Sequence, residues 1–353
     1  NKRKIIISTN IAETSLTIPD IVHIVDCGRA KVKNYTSGGF ESLKVQRISK
    51  ASTKQRAGRA GRVSHGYCYQ LFGEKQYEKF EDFTVPEILR IPLENAFLQI
   101  AACGIDKVQD FEFLESPTNE RIYEALRRLK QNNLLIFADG SQKLSEIGHF
   151  CSLFPLPIEM SLTIYHAFSN GSLQQVIQII AMLSCDSMPF QNEQNEGTDS
   201  ARNSFYLLVS KYGDHLTYLN CYKFYKKCLK SNKNNKKLAE FGLNESHLQH
   251  AHKVLLQIRE IISKNFQDVK FNQEVNELHI LRSFLFGFKA NLMKLSESKT
   301  FYNKINDTHE IFIHPQSTMF KSKSKYVIFG QVVETKKCYA RIVSYIDEDW
   351  LDD

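Results

Sequence analysis

The segment Gln55-Arg-Ala-Gly-Arg-Ala-Gly-Arg62 sets Arg59 and Arg62 three residues apart, beside Gly58 and Gly61. On a helix that spacing puts both guanidinium groups on one face, and the glycines clear the face for a bulky anion. Two such forks can grip one triphosphate. An arginine at a phosphoryl transition state contributes ~10³ to 10⁵ in rate, and a neutral Gln55 that donates and accepts suits orientation of the attacking water. The bland alternative is an exposed basic helix holding salt bridges. It fits poorly, because each interior glycine costs about 1 kcal/mol relative to alanine, so something needs the space.

A second cluster, Ser8-Thr-Asn-Ile-Ala-Glu-Thr-Ser-Leu-Thr-Ile18, follows a short β-branched run. Small hydroxyl and amide side chains at a strand-to-helix turn, with free backbone N–H groups, are placed to hold phosphate oxygens. Alone this is a capping sequence. Together with the arginine segment about forty residues on, it reads as half of a nucleotide-driven motor.

The elements that must position these residues follow from periodicity. Lys4–Ser8 and Ile21–Asp26 read as strands. Ala30–Lys33 and Leu43–Ile48 read as a hairpin around Thr36-Ser-Gly-Gly39. Ser52 or Thr53 is expected to cap the arginine helix, and Tyr67–Phe72 gives another strand. Strands alternating with helices predict a parallel sheet with loop-borne chemistry. Beyond Pro86, apolar faces at Leu93, Ala96, Phe97, Ile100 and Ala101, then at Ile122, Ala125, Leu126 and Leu129, predict two helices. A hairpin with an Asp139-Gly140 turn comes next, in winged-helix order. Stripes such as Leu173, Val176, Ile177, Ile180 and Leu248, Ala251, Leu255, Ile258 predict a helical bundle from Ile158 to about Asn265. From about Phe301, short β-rich runs predict a small antiparallel barrel. Lys223–Lys237 holds seven lysines and no acid, and reads as a solvated loop or frayed helix end, with a nucleic-acid contact as the less favoured alternative.

Composition narrows the class. With 353 residues, 42% hydrophobic and 24% charged, the chain is expected to be globular with two or three domains. Eight cysteines without a C-x-x-C pair signal neither a zinc knuckle nor a disulfide framework, and an intracellular setting fits. His149, His166, His247, His250 and His252 lack companion ligands at metal spacing and read as satisfied or surface histidines, so no metal site is expected. No run approaches the ~18 apolar residues a membrane helix needs. The start, NKRKIIIST, reads as cut within a longer protein. The net charge of +7 is local: residues 1–85 hold 15 Lys and Arg against 8 Asp and Glu, and the remainder holds 31 of each.

STNIAETSLTI and QRAGRAGR resemble motifs V and VI of the DEAH-box RNA helicases of superfamily two, the leading Gln separating them from the His-led DEAD-box form. The resemblance continues through NERIYEALRRL, FPLPIEM, IAMLS, GDHLTYLN, IHPQS and Tyr339-Ala-Arg-Ile, in order over nearly the whole chain. It implies a multidomain α/β plus α plus β architecture. Its parts are a partial second RecA-like domain with a parallel sheet (1–84), a winged helix (85–152), a helical ratchet-like bundle (153–265) and an OB-fold region (266–353). It implies ATP as cofactor, bound by Gln55, Arg59 and Arg62, with Mg²⁺ ligands outside these residues. Ser15 and Thr17 match residues that couple nucleotide state to RNA grip. Thr9 and Asn10 match contacts to the RNA backbone, and Lys31 matches a further phosphate contact. Single-stranded RNA is the implied partner of a monomeric core in the nucleus or nucleolus, and a G-patch activator is a family partner on the winged helix and OB-fold. Pro19-Asp20 stands where the family has an acidic residue and then Gly, which puts the ribose contact in doubt, and the bundle lacks the family's Trp-Cys pair. Neither a G-x-x-x-x-G-K-[ST] loop nor a DEAH box occurs. The other readings are a non-catalytic RNA-binding adaptor that keeps the helicase shell, and a helicase acting on DNA.

Overall fold

The computed structural model describes residues 3–14, 16, 18–35, 41–60, 65–138, 140–185, 189–190, 204–230, 234–269, 271, 276–304, 309–334 and 337–351. Contacts divide the chain into two units, residues 1–92 with 112–119, and residues 93–111 with 120–353.

In the first unit the short helix α1 (Ile11–Thr14) precedes strand β1 (His23–Asp26), which pairs in parallel with β4 (Tyr67–Gln70), His23 opposite Tyr67. Between them lie the antiparallel hairpin β2 (Arg29–Tyr35) and β3 (Glu41–Arg47), and helix α2 (Lys50–Ala57). A small helix, α3 (Glu74–Tyr77), follows β4. Gly28 turns the chain from β1 into β2 at φ +67°, where a Cβ would lie 2.6 Å from the Phe72 ring. The parallel pair and the hairpin match expectation, but Lys4–Ser8 is not a strand. Its isoleucines Ile5 and Ile7 are 80% and 97% exposed. β-branched residues favour extended backbone, but only a ladder partner makes a strand of it. The Thr36–Gly39 turn lies outside the described residues.

The second unit begins with α4 (Glu94–Ala102), α5 (Asn119–Gln131) and the hairpin β5 (Leu135–Ala138) and β6 (Ser141–Leu144). α4 buries Phe97, Leu98 and Ala101, and α5 buries the four apolar residues read from its stripe. Arg128 on α5 pairs with Glu94 on α4 at 3.2 Å. Helices α6 (Glu146–Ser152), α7 (Ile158–Asn170), α8 (Leu173–Leu183), α9 (Asp214–Lys230), α10 (Asn234–Glu240), α11 (Glu245–Asn265) and α12 (Glu277–Gly287) follow. Their stripes are the core: Val176, Ile177, Ile180, Leu248 and Ala251 are all fully buried. Lys223–Lys230, read as a loop or frayed end, is instead the closing half of α9, held in helix by Tyr222, Tyr225 and Cys228 buried on its inner side.

The chain ends in a closed barrel of β7 (Leu292–Leu295), β8 (Tyr302–Lys304), β9 (Ile311–Ile313), β10 (Tyr326–Glu334) and β11 (Cys338–Ile346), in the order β10-β11-β9-β8-β7. It starts at Leu292, earlier than Phe301, and it is not wholly antiparallel, since β9 runs parallel to β11. Residue alternation carries facing but not strand direction, so this pairing was not legible.

The segment Gly213-Asp214-His215 fastens the barrel to α9. The Asp214 carboxylate, 5% exposed, accepts hydrogen bonds from Ser317 Oγ (2.6 Å), Thr318 N and Oγ1 (2.8 and 2.6 Å) and Val343 N (2.7 Å). Burial raises its pKa and these bonds pull against that rise. His215 shares a 2.8 Å bond with Ser344 Oγ, and Gly213 sits at φ +110° with Val343 O only 2.4 Å from where a Cβ would be. Gly213→Ala should therefore lower the unfolding free energy of this unit by at least ~2 kcal/mol, read from the shift in urea midpoint; an unchanged midpoint would refute the contact. Burial also lowers the His215 pKa from 6.5 to about 3. The unfolded chain then takes up this proton before the folded one does. His215's contribution to stability is intact above pH 6.5 and is lost as pH falls towards 3, whereas Asp214, shifted upward, acts in the opposite sense. Imidazole ¹⁵N shifts should stay those of a neutral ring at about pH 5, and a midpoint near 6.5 would contradict this burial.

Candidate functional site

Helix α2 is set by Ser49 and not by Ser52 or Thr53. Ser49 has extended backbone, its Oγ accepts from Ser52 N at 3.1 Å, and it meets Thr84 Oγ1 at 3.0 Å. Ser52 and Thr53 lie inside the first turn, where Thr53 Oγ1 bonds back to Lys50 O. The helix ends at Ala57, so Arg59 stands past its end in a turn and not on its face. Arg62 lies outside the described residues, as do Ser15 and Thr17. The expected pairing of Arg59 and Arg62 on one helical face is therefore not found for Arg59.

Arg59 directs its guanidinium at α1 and the chain just after it. Nε donates to Glu13 O at 2.6 Å, Nη2 also donates to Glu13 O, and Nη1 donates to Leu16 O at 3.2 Å. Glu13 lies in α1 and Leu16 two residues past its end, and the helix is preceded by Thr9 and Asn10, whose carbonyls accept from Ala12 N and Glu13 N. Thr9 and Asn10 are exposed, with Thr9 Oγ1 accepting from Ile11 N at 3.4 Å. Gln55 is exposed on the last turn of α2, next to Gly58, whose missing Cβ would meet nothing nearer than Lys54 O at 3.4 Å. Lys31 is exposed on β2 opposite Val45.

Sequence reasoning missed the residue that ties these parts together. Arg56 donates from Nε to Glu13 Oε2 (3.0 Å) and from Nη1 to Asp26 Oδ1 (2.8 Å) and Arg29 O (3.2 Å). Burial lowers its pKa, but the bonds to Asp26 and Glu13 outweigh that and leave it raised. One guanidinium thus joins α1, the end of β1, the start of the hairpin and α2. The signal was present: Arg56 lies inside the arginine segment, three residues before Arg59, and Asp26 ends a strand, where loop-borne chemistry is expected. The side chains of the Arg56–Asp26 pair are only 14% and 0% exposed.

The geometry can do two things. It can present Gln55 and Arg59 to an anionic group, and it can tie that end of α2 to the turn bearing Thr9 and Asn10. Among the described residues, no group of three or more His, Cys, Asp or Glu could hold a metal ion. His166 and His252 are instead partnered by Ser283 and Tyr222.

Two family descriptions match the chain, "Helicase conserved C-terminal domain" over residues 1–64 and "Oligonucleotide/oligosaccharide-binding (OB)-fold" over residues 280–352. The second contains the closed barrel. The chain is 35% identical over 352 residues to the ATP-dependent RNA helicase DHX33 of Mus musculus, covering 99% of this chain and 49% of that protein. It is 35% identical over 369 residues to the pre-mRNA-splicing factor ATP-dependent RNA helicase DEAH10 of Arabidopsis thaliana (99% and 50%). It is 36% identical over 352 residues to the probable ATP-dependent RNA helicase DHX35 of Pongo abelii (99% and 48%). The chain spans about half the length of the curated relatives it matches.

Replacing Arg56 by Ala strands the buried Asp26 carboxylate and should cost the first unit about 3 kcal/mol; Arg56→Lys, which keeps the charge but not the fork, should cost less. Chemical denaturation followed by the exchange of β1 amides checks this. Equal stability of the Ala variant would remove Arg56 from its central place.

Proposed function

Because the chain belongs to the DEAH-box RNA helicase family, as the C-terminal part of such a protein, we propose that the whole protein couples ATP hydrolysis to movement along single-stranded RNA. The observation that carries the reading is the double tether. Arg59 and Arg56 both bind the α1 turn, so the candidate phosphate-binding end of α2 and the candidate RNA-contacting Thr9 and Asn10 are linked through two side chains. Residues 1–84 then form part of the second RecA-like domain, 85–152 a winged helix, 153–265 a ratchet-like bundle and 266–353 an OB-fold region.

ATP would supply the transferable phosphoryl group and Mg²⁺ would neutralise charge on its oxygens, with the metal's ligands assigned to the other half of the protein. Gln55 and Gly58 are both exposed, and at Gly58 a Cβ would touch only the carbonyls of Lys54 and Gln55, which leaves room for a triphosphate at the end of α2. Gln55 orients the attacking water, and Arg59 and Arg62 hold phosphate oxygens. Three of Arg59's five N–H donors are spent on Glu13 O and Leu16 O, so a phosphate that draws the guanidinium away from these carbonyls loosens the turn that carries Thr9 and Asn10. Ser15 and Thr17, between that turn and β1, relay the same change. Lys31 adds a phosphate contact from the hairpin. A G-patch-type activator and a nuclear or nucleolar setting complete the reading.

In the full-length protein, Gln55→Ala should lower RNA-stimulated ATP turnover by ~10² or more, with RNA affinity in the absence of nucleotide within about twofold. Arg59→Ala should lower turnover by ~10³ or more. Unchanged turnover in both would sink the assignment. The 353-residue chain by itself holds no phosphate loop, and it should hydrolyse no ATP in the presence of RNA.

A further inference from the structure

Residues 215–239 contain seven lysines and no aspartate or glutamate. Lys223, Lys226, Lys227 and Lys230 follow one another at i, i+3, i+4 and i+7 on α9, which puts them on one face, opposite the buried Cys221, Tyr222, Tyr225 and Cys228. Lys223, Lys227 and Lys230 are exposed and Lys226 is half-buried. Helix α10 adds the exposed Lys236 and Lys237. The two helices meet on the inner side of α9, where Phe224 packs on Phe241 at 4.2 Å and Lys237 favours the thiolate of the buried Cys228, so the stripe itself is the four lysines of α9. Among the described residues, none of these six lysines forms an ion pair.

Like charges at 223 and 227, and at 226 and 230, repel along the helix. Favourable interaction with the helix C-terminus accounts for Lys227, Lys230 and Lys237 in their last turns, and leaves Lys223, Lys226 and Lys236 unexplained. A polyanion laid on the face removes the repulsion. Among the described residues the face has no exposed aromatic ring to stack a base, because Tyr222 and Tyr225 are buried and Phe224 packs on Phe241 at 4.2 Å. It holds lysines and no arginine, so it reads phosphate as point charge without base or fork geometry. From Lys223 to Lys230 the stripe runs ~10 Å along the helix, and a duplex presents one charge per about 1.7 Å of its axis.

We propose that this lysine face of α9 anchors the phosphate backbone of double-stranded RNA, in addition to the single-strand contacts proposed at Thr9, Asn10 and Lys31. The inference rests on the RNA reading above. It assigns the duplex that flanks the engaged strand to a surface outside the motifs.

The test uses the full-length protein with Lys223, Lys226, Lys227 and Lys230 all replaced by Gln, and a second variant with all four replaced by Arg. Binding of an RNA duplex of about 20 base pairs is measured against salt concentration. Each lost phosphate contact should reduce the slope of log affinity on log salt by about 0.9, so the Gln variant should be shallower by about 3 to 4 and weaker by at least ~10-fold at low salt. The Arg variant should restore both, and ATP turnover stimulated by single-stranded RNA should be unchanged in either. Unchanged duplex affinity and slope in the Gln variant would overturn the proposal. So would a loss of poly-glutamate binding with duplex binding intact, which would assign the face to an acidic protein. If the unaltered protein shows no RNA-stimulated turnover, the helicase reading falls; if that turnover is present and the duplex data do not move, only the lysine face falls.

Discussion

A carboxylate taken out of water must be answered by a cation or by hydrogen-bond donors, and Asp26 is answered by both. Its Oδ1 receives Arg56 Nη1 and the backbone N–H of Gly28, while Oδ2 is buried without a partner among the described residues. One oxygen therefore carries the interaction that fixes where α2 stands relative to β1 and where the hairpin leaves the sheet. Glu13, reached by the same guanidinium, adds the α1 turn. The candidate functional residues described in this unit lie close to this knot in sequence: Thr9 and Asn10 just before α1, Lys31 two residues beyond Arg29, Gln55 next to Arg56 itself and Arg59 three residues after it.

The second unit solves the same problem without a cation. Asp214 is held by two hydroxyls and two backbone N–H groups, and its neighbour His215 stays uncharged beneath Phe284. Both devices use a short polar segment at the edge of an element to fix elements far apart in sequence. They differ in tolerance. A guanidinium can slide between nearby acceptors, whereas the Asp214 cradle requires Gly213 in a positive-φ conformation pressed against Val343 O.

Repeated patterns were the legible part of this fold. The stripes of α5, α8 and α11 and the paired runs of β10 and β11 each present several residues that agree, so the bundle, the hairpins and the barrel could be read from spacing. Features decided by one distant contact could not. Ser49 caps α2 by accepting from Ser52 N while its hydroxyl also meets Thr84, thirty-five residues away, where spacing pointed to Ser52 or Thr53. Arg59 leaves the helix because Gly58 ends it and the Glu13 and Leu16 carbonyls attract it, a choice set by tertiary acceptors and not by the i, i+3 pattern. The lysines of α9 were misread for the opposite reason. Their charge drew attention, while the helix is specified by the aromatic and cysteine residues between them. In the candidate site the motif boundaries were legible and the partnerships were not, because Arg56 looked like one more cation in a basic segment until Asp26 and Glu13 were found beside it.

Helix α9 has one further consequence. Its first residue, Asp214, is locked into the barrel, and its last turn carries Lys227 and Lys230. Seventeen residues of unbroken helix make a rod of ~25 Å, stiff on the scale of side-chain motion. Its lysine end is thus joined rigidly to the barrel through four hydrogen bonds and a glycine with no room to shift, so α9 is a strut between that face and the barrel.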